Sequence, residues 1–216
     1  MIALYRYLMS SMVLSQRYLP PTLVFLAALS VGTGSDAGPL WQTYSFCVAA
    51  IVTCATWMTV ALIDHEDAVQ RQVITVAAGG ARRVLAATIA AALTGDLLLI
   101  TLGMTIPIAI GHHTVTAGAL AAGTVAQLAA ALVGNALGLL TSRPVIPRVG
   151  VALVVALAAL LVMLLVRWAS PINPLIHALS GSHSPHPVSL GLLAGVSVLL
   201  LAASAAVTLR ITERRT

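Results

Sequence analysis

The chain contains no lysine, and charged residues of any kind are scarce. All eleven of its basic side chains are arginine, and Asp, Glu, Lys and Arg together make up only 8% of its 216 residues. The absence of lysine excludes a phosphate-loop lysine, a lysine Schiff base and a serine–lysine catalytic pair. Motifs of the HExxH and GxSxG kind are also missing, so we predict no enzymatic activity and expect any ATP hydrolysis in another chain.

Hydrophobic residues, by contrast, make up 59% of the sequence. Soluble globular domains contain roughly 25% charged residues, so this composition indicates a membrane protein. Several apolar segments meet the requirement of about 20 residues for crossing the hydrocarbon core, and they leave little sequence for a soluble domain. We therefore predict an all-α polytopic membrane protein that forms a single transmembrane domain over residues 1–216.

The net charge of +5 does not indicate a nucleic-acid partner, because the arginines stand singly or in pairs at the ends of apolar segments. Cysteine is also scarce. Cys47 and Cys54 lie seven residues apart in one predicted helix, about 10 Å along its axis, which excludes a bond between them. We interpret them as small apolar residues.

Residues 1–18 are predicted to form an interfacial helix, because apolar side chains recur there at spacings of three and four. The alternative is that they form the first turns of a tilted spanning helix. No small-residue cleavage pattern follows, so we expect Met1 to be retained. Pro20 and Pro21 predict a break, and six transmembrane helices follow: Leu19–Val31, Trp41–Ile63, Arg83–Ile110, Thr114–Leu140, Val149–Val166 and Val188–Leu209.

The arginines predict the orientation of these spans, since cytoplasmic loops are enriched in basic residues. Ten of the eleven lie on one side of the predicted spans, and only Arg167 lies on the other. We therefore expect a multi-pass protein of the plasma membrane with both termini in the cytoplasm. The outer side carries five of the six histidines, whose spacings match no zinc signature, so we predict no metal site: His112, His113, His177, His183 and His186.

The segment "ALIDHEDAVQRQVITVAAGGARRVL" gathers charges between the second and third spans. Its three carboxylates suit the positive end of a helix: Asp64, Glu66 and Asp67. Arg71 follows Asp67 at the favourable spacing of four residues. An apolar stripe and a glycine stop complete an amphipathic helix over residues 64–80: Val69, Val73, Ala77, Gly79 and Gly80.

A simple connection between two spans needs only a few polar residues, so a whole capped helix suggests that something docks on it. The alternative is a helix that lies on the lipid surface. Acidic residues after the second span, an amphipathic helix, a glycine and then Arg82 and Arg83 resemble the membrane subunit of a type-2 ABC exporter. In that family this loop is the cytoplasmic coupling helix, which seats in a groove of the ATP-binding subunit.

The resemblance extends in outline over the whole chain, because the family has an N-terminal interfacial helix, six spans and cytoplasmic termini. It also has a partial helix outside, between spans five and six. The external loop over residues 169–187 contains "ASPINPLIHALSGSHSPHP", which predicts that helix with Asn173 as its cap and Pro174 as its first residue. The chain departs from the family in having no attached ATPase domain and very small external loops.

The resemblance implies a permease subunit that moves an amphipathic or hydrophobic substrate, such as a peptide, lipid or drug, out of the cytoplasm. Two copies, or one copy and a related permease subunit, would enclose a path lined chiefly by spans one, two and five. A separate ABC ATP-binding subunit would bind ATP and Mg, leaving no cofactor in this chain. It would contact the charged residues of the coupling helix: Asp64, Glu66, Asp67 and Arg71.

Asp96 is the only carboxylate deep in an apolar span. A charge there costs several kcal/mol unless it is protonated, paired or wetted. Asp96 therefore either carries protons in a proton-coupled secondary transporter or is a neutral structural residue. A membrane immunity or scaffold protein that does not transport is a further alternative for the whole chain. Gly134 and Gly138 form a GxxxG pattern that predicts close helix packing, within one subunit or between subunits.

Overall fold

The computed structural model describes residues 2–33, 39–65, 68–111, 113–143, 145–167, 170–181 and 186–215. Within these ranges the chain forms nine α-helices and no β-strand. In chain order they are α1 (Ile2–Leu14), α2 (Leu19–Thr33), α3 (Leu40–Ile63), α4 (Ala68–Ala78), α5 (Ala81–Ile110), α6 (Ala117–Thr141), α7 (Val149–Leu165), α8 (Ile172–Ser180) and α9 (Pro187–Arg215).

Four of the described helices are long and apolar enough to cross a membrane, namely α3, α5, α6 and α9. The helices α1 and α2 meet at an angle of 67° and add a fifth crossing if the pair is one span. The all-helical class is therefore confirmed for the described residues, and four or five crossings are compatible with their length and composition. Helix α7 has 17 residues, about 26 Å at the usual rise, against a hydrocarbon core of about 30 Å. The count of six crossings stays a prediction.

The break before the first long apolar segment lies earlier than the prolines predicted. Pro20 and Pro21 lie in the first turn of α2, where the missing proline amide removes no helical hydrogen bond. The chain turns instead at residues 15–18, where Gln16 adopts a φ of 54°. A positive φ at a residue other than glycine is uncommon and occurs mostly in turns.

Helix α3 is the centre of the bundle. It packs most extensively against α6 and also contacts α2, α5 and α8, while the far side of α6 packs against α9. More than half of the apolar window of α3 is buried, whereas only 22% of the corresponding window of α9 is buried. The apolar residues of α9 are therefore available to lipid, which is the arrangement expected of a peripheral transmembrane helix.

Two glycines of α6 allow it to approach the backbone of α3. A Cβ atom added at Gly134 would lie 2.7 Å from the carbonyl oxygen of Val52, and one at Gly138 would lie 2.6 Å from the Cβ of Thr59. Both distances are shorter than a side chain tolerates. The predicted GxxxG pattern is therefore a packing seam within one chain.

The arginine-rich connections gather at one end of the bundle. The backbone amide of Arg143, after α6, donates to Asp64 Oδ1 at the end of α3 (3.0 Å). Arg82, at the start of α5, lies 3.6 Å from the carboxylate of Glu213 near the end of α9. At the opposite end, the indole Nε1 of Trp41 donates to the carbonyl of Gly181 (3.0 Å). We call the end that contains Arg82 and Arg143 the arginine-rich end.

Helix α8 forms within the predicted external segment, but Asn173 is not its cap. The helix begins at Ile172, two residues before the predicted first residue Pro174, and the amide of Ile172 donates to Ser170 Oγ (3.0 Å). Asn173 Nδ2 instead donates to the carbonyl of Leu164 at the end of α7 (2.6 Å). The helix is held in place by three apolar side chains that are fully enclosed in the bundle: Ile172, Leu175 and Leu179.

The α3–α6 seam predicts a selective sensitivity to small side chains. Gly134→Ala places a methyl group against the backbone of α3 and should destabilise the protein by about 1–3 kcal/mol through overpacking. Gly195→Ala is the matched control, because a Cβ at that position in α9 meets nothing within 4 Å. Thermal unfolding in detergent should show a lowered midpoint for the first variant only. Equal midpoints for both variants would contradict the seam.

Candidate functional site

Helix α4 is the element that the sequence singled out, and its N-terminal boundary differs from the prediction. Asp64 was placed in its first turn, but it is the C-terminal cap of α3, because its amide donates to the carbonyl of Val60 (2.9 Å). Helix α4 itself begins at Ala68. The predicted contact residues Glu66 and Asp67 lie outside the described residues.

Asp64 and Arg71 both bind backbone groups of their own chain. Asp64 accepts the amide of Arg143, which joins the end of α3 to the connection between α6 and α7. Arg71 donates from Nη2 to the carbonyl of Ile63, one of the last carbonyls of α3. A helix end leaves such carbonyls without an intrahelical donor, so Arg71 closes the end of α3 and braces α4 against it. Contact of either side chain with a partner stays a prediction.

The C-terminal end of α4 has the glycine stop that the sequence predicted. Gly79 and Gly80 have φ values of 75° and 131°. The amide of Gly80 donates to the carbonyl of Thr75 (2.9 Å), and the amide of Gly79 donates to that of Val76 (3.1 Å). This pair of hydrogen bonds is the Schellman arrangement, which requires a left-handed residue at the first position after the helix.

One face of α4 is apolar and exposed. Val69, Val73 and Val76 are 72%, 63% and 82% exposed, and their spacing of four and three residues aligns them along the helix. On the side toward the bundle, Ile74 is half-buried, and Gln70 Nε2 donates to the hydroxyl of Tyr7 on α1 (2.8 Å). The described part of the chain leaves the valine face uncovered, so the chemistry of this face suits lipid or another protein.

The second feature is a hydrogen-bonded chain around Asp96, which is only 1% exposed. Its Oδ2 accepts from Nδ2 of Asn135 at 2.7 Å, and Oδ1 of Asn135 accepts from the hydroxyl of Thr59 at 2.5 Å. These three residues belong to α5, α6 and α3. The chain of bonds therefore ties together the three helices that form the core.

Sequence reasoning identified Asp96 but missed Asn135 and Thr59. The available signal was the presence of an amide and a hydroxyl inside apolar windows, because polar groups within a bundle usually pair with one another. The other oxygen, Oδ1 of Asp96, has no hydrogen-bond partner among the described residues. The arrangement supplies Asp96 with one donor, from a neutral amide.

The outer histidines fall at scattered positions. His113 follows α5, His177 lies in α8 and His186 precedes α9, while His112 and His183 lie outside the described residues. Among the residues that the structure describes, no group of three or more His, Cys, Asp or Glu side chains has the proximity needed to hold a metal ion.

Comparison of the chain with protein-family models, curated proteins and solved structures gave no significant match. Function is therefore inferred from two features of this chain alone. One is the valine face of α4, and the other is the buried chain of Asp96, Asn135 and Thr59.

The Asp96 chain predicts a rank order of stability. Asn135→Leu removes both hydrogen bonds and leaves Asp96 and Thr59 unpaired, at about 1–3 kcal/mol for each buried group. Thr59→Val removes one bond. Thr53→Val is the matched control on the same helix, because Thr53 bonds only to the carbonyl of Ala49 in its own helix. Unfolding midpoints in detergent should fall most for Asn135→Leu, less for Thr59→Val and least for Thr53→Val; a different order would contradict the bridging role.

Proposed function

We propose that this chain is the permease subunit of an ATP-driven exporter of the type-2 ABC kind, working with a separate ATP-binding subunit. The observation that carries the proposal is α4, a short helix with an exposed valine face that is tied firmly to the bundle. An amphipathic helix that places its apolar face in a groove of another protein is a recurrent mode of recognition. On this proposal the groove belongs to the ATP-binding subunit.

The contacts of α4 favour a mechanical role over simple lipid attachment. Arg71 ties α4 to the end of α3, and Gln70 ties it to α1. Asp64 extends the connection from α3 to the start of the α6–α7 loop. A force applied to the valine face is therefore transmitted to three elements at the arginine-rich end. A helix that only lies on lipid needs no such braces.

The remaining elements support the same assignment. The pair α1 and α2, bent by 67°, suits an interfacial helix followed by the first transmembrane span. The short apolar helix α7 suits the fifth transmembrane span. Helix α8 supplies a partial helix between α7 and α9. With six crossings, both termini lie at the arginine-rich end, which we assign to the cytoplasm because basic residues are enriched there.

A translocation path requires a second permease subunit, either a copy of this chain or a relative. Helix α7 exposes large apolar side chains along its length, among them Leu153, Leu157 and Leu161. The largest exposed side chains of α3 are Phe46 and Trp57. They are eleven residues apart, and because each residue turns the helix by 100°, both lie on the same face. A path between α2, α3 and α7 of two subunits is therefore apolar and aromatic, which favours an amphipathic or hydrophobic substrate.

The docking role of α4 is tested by placing a charge on its valine face. Val73→Glu should abolish recovery of an ATP-binding-cassette protein with the tagged chain from its native membrane in mild detergent, because a carboxylate in an apolar groove is costly. Val188→Glu is the matched control, since Val73 and Val188 are both 63% exposed and Val188 lies at the opposite end. The partner is identified by mass.

The result expected is a partner recovered with the wild type and with Val188→Glu but absent with Val73→Glu. A wild-type chain that is recovered alone or only with itself would contradict the exporter assignment. A partner that survives Val73→Glu would retain the assignment and refute the docking role of this face.

Oδ1 of Asp96 has no hydrogen-bond partner among the residues that the structure describes, and this favours a second candidate, a proton-coupled secondary transporter. The two functions differ in what Asp96→Asn does. Asparagine retains an oxygen that accepts from Asn135, so the hydrogen-bonded link between the helices survives. Unlike a carboxyl group, its amide cannot take up and release a proton. If the chain is an ABC permease, transport by Asp96→Asn should keep the wild-type dependence on pH, measured in vesicles with ATP. If the wild type instead transports without ATP in a pH-dependent way and Asp96→Asn loses that transport, the proton-coupled function is supported.

A further inference from the structure

A cleft opens at the arginine-rich end between α1, α3, α4, α5 and α9. The cavity itself has a volume of about 50 Å³ and opens to the surroundings. Its lining is amphipathic, because the leucines Leu62, Leu85 and Leu209 lie beside the guanidinium-bearing Arg71 and the hydroxyl-bearing Thr208. A site of this composition suits a ligand with an apolar portion and a polar head.

Thr208 gives independent support for a ligand. Threonines elsewhere in these helices donate to the carbonyl four residues earlier, as Thr75 does to Arg71 and Thr88 does to Val84. Thr208 is only 3% exposed, yet its Oγ1 has no hydrogen-bond partner among the described residues. A buried hydroxyl without a partner gains free energy from a group in the cleft that binds it.

The charges around the cleft favour an anion. Arg71 lines the cleft itself, and the side chain of Arg83 is exposed on α5, one of the helices that form its walls. The guanidinium group of arginine presents several donors in a planar fork that suits phosphate oxygens.

Two of the carboxylates that the structure describes lie at this end, and both have positive or donor partners. Glu213 lies 3.6 Å from Arg82, and Asp64 accepts the amide of Arg143. Arg71 is the one charged side chain among the described residues that line the cleft. Basic pockets between transmembrane helices on the cytoplasmic side are typical binding places for anionic lipid headgroups.

We propose that this cleft binds an anionic phospholipid of the surrounding bilayer, with its phosphate at Arg71 and Thr208 and an acyl chain along Leu62, Leu85 and Leu209. A soluble phosphate would contact only the polar part of the site, whereas a phospholipid would contact the polar part with its headgroup and the apolar wall with an acyl chain. Because Arg71 and Thr75 belong to α4 and Thr208 to α9, the lipid links α4 to the last helix. The site belongs to the single chain and does not depend on the proposed function.

The test is lipid retention by the purified full chain, measured by native mass spectrometry after titration with phosphatidylglycerol or phosphatidylcholine. Phosphatidylglycerol should be retained at least about tenfold more strongly, and Arg71→Gln should remove most of that preference, since one charge-assisted contact is lost. Thr208→Val should weaken retention several-fold. Arg210→Gln is the matched control, because it removes the same charge outside the cleft lining and should leave the preference intact.

A second variant, Ala81→Trp, fills the cleft from α5 without touching Arg71, and it should also abolish the preference while the thermal midpoint without lipid is unchanged. This variant decides the matter if Arg71→Gln fails to fold. Equal retention of both lipids, or equal loss in Arg71→Gln and Arg210→Gln, would overturn the site. Full displacement of phosphatidylglycerol by inorganic phosphate would overturn the lipid assignment, as would a cleft that holds only water in an experimental structure in lipid.

Discussion

The close approach of α3 and α6 is the interaction on which the rest of the bundle depends. In a membrane the hydrophobic effect does not drive helices together, so association requires fine packing and internal hydrogen bonds. Gly134 and Gly138 supply the packing by bringing the two backbones near each other. Thr56 then reaches across and donates to the carbonyl of Gly134 (3.1 Å), and Asn135 extends the contact to Asp96 on α5.

This core explains the distribution of exposed surface. Because α3 and α6 bury one another, the outer helices α7 and α9 present long apolar faces, which are stable in lipid. The elements at the two ends make further polar contacts. Asn173 fixes α8 to the end of α7, and Arg71 fixes α4 to the end of α3. The bundle thus combines a closely packed core of α3 and α6 with two ends that carry specific contacts.

Much of this architecture is readable from composition and patterning. The long helices, the amphipathic α4 and its glycine stop all follow from local periodicity and turn chemistry, which depend on neighbouring residues only. The errors concern contacts between distant parts of the chain. Asp64 ends α3 through its own amide, while its side chain accepts from Arg143, far along the chain. Asn173 donates to the carbonyl of Leu164 and does not cap α8.

In the candidate sites, too, local features can be predicted from the sequence, whereas contacts between distant residues cannot. A buried carboxylate at position 96 is conspicuous in an apolar run, but its partners Asn135 and Thr59 lie on other helices and become evident only once the helices are packed. The valine stripe of α4 is readable from spacing, although Val76 is the most exposed of its members and the sequence favoured Ala77. The cleft near Thr208 draws on five helices, and local pattern carries no signal for it.

The central claim is that the valine face of α4 contacts an ATP-binding subunit. Its most direct test is a photoreactive amino acid placed at Val73 in cells, with a second placed at Val188 for comparison, followed by irradiation of intact membranes and mass identification of the products. The account predicts a protein adduct with an ATP-binding-cassette subunit at Val73 and only lipid adducts at Val188. Lipid adducts alone at both positions would show that α4 merely lies on the bilayer and would contradict the account.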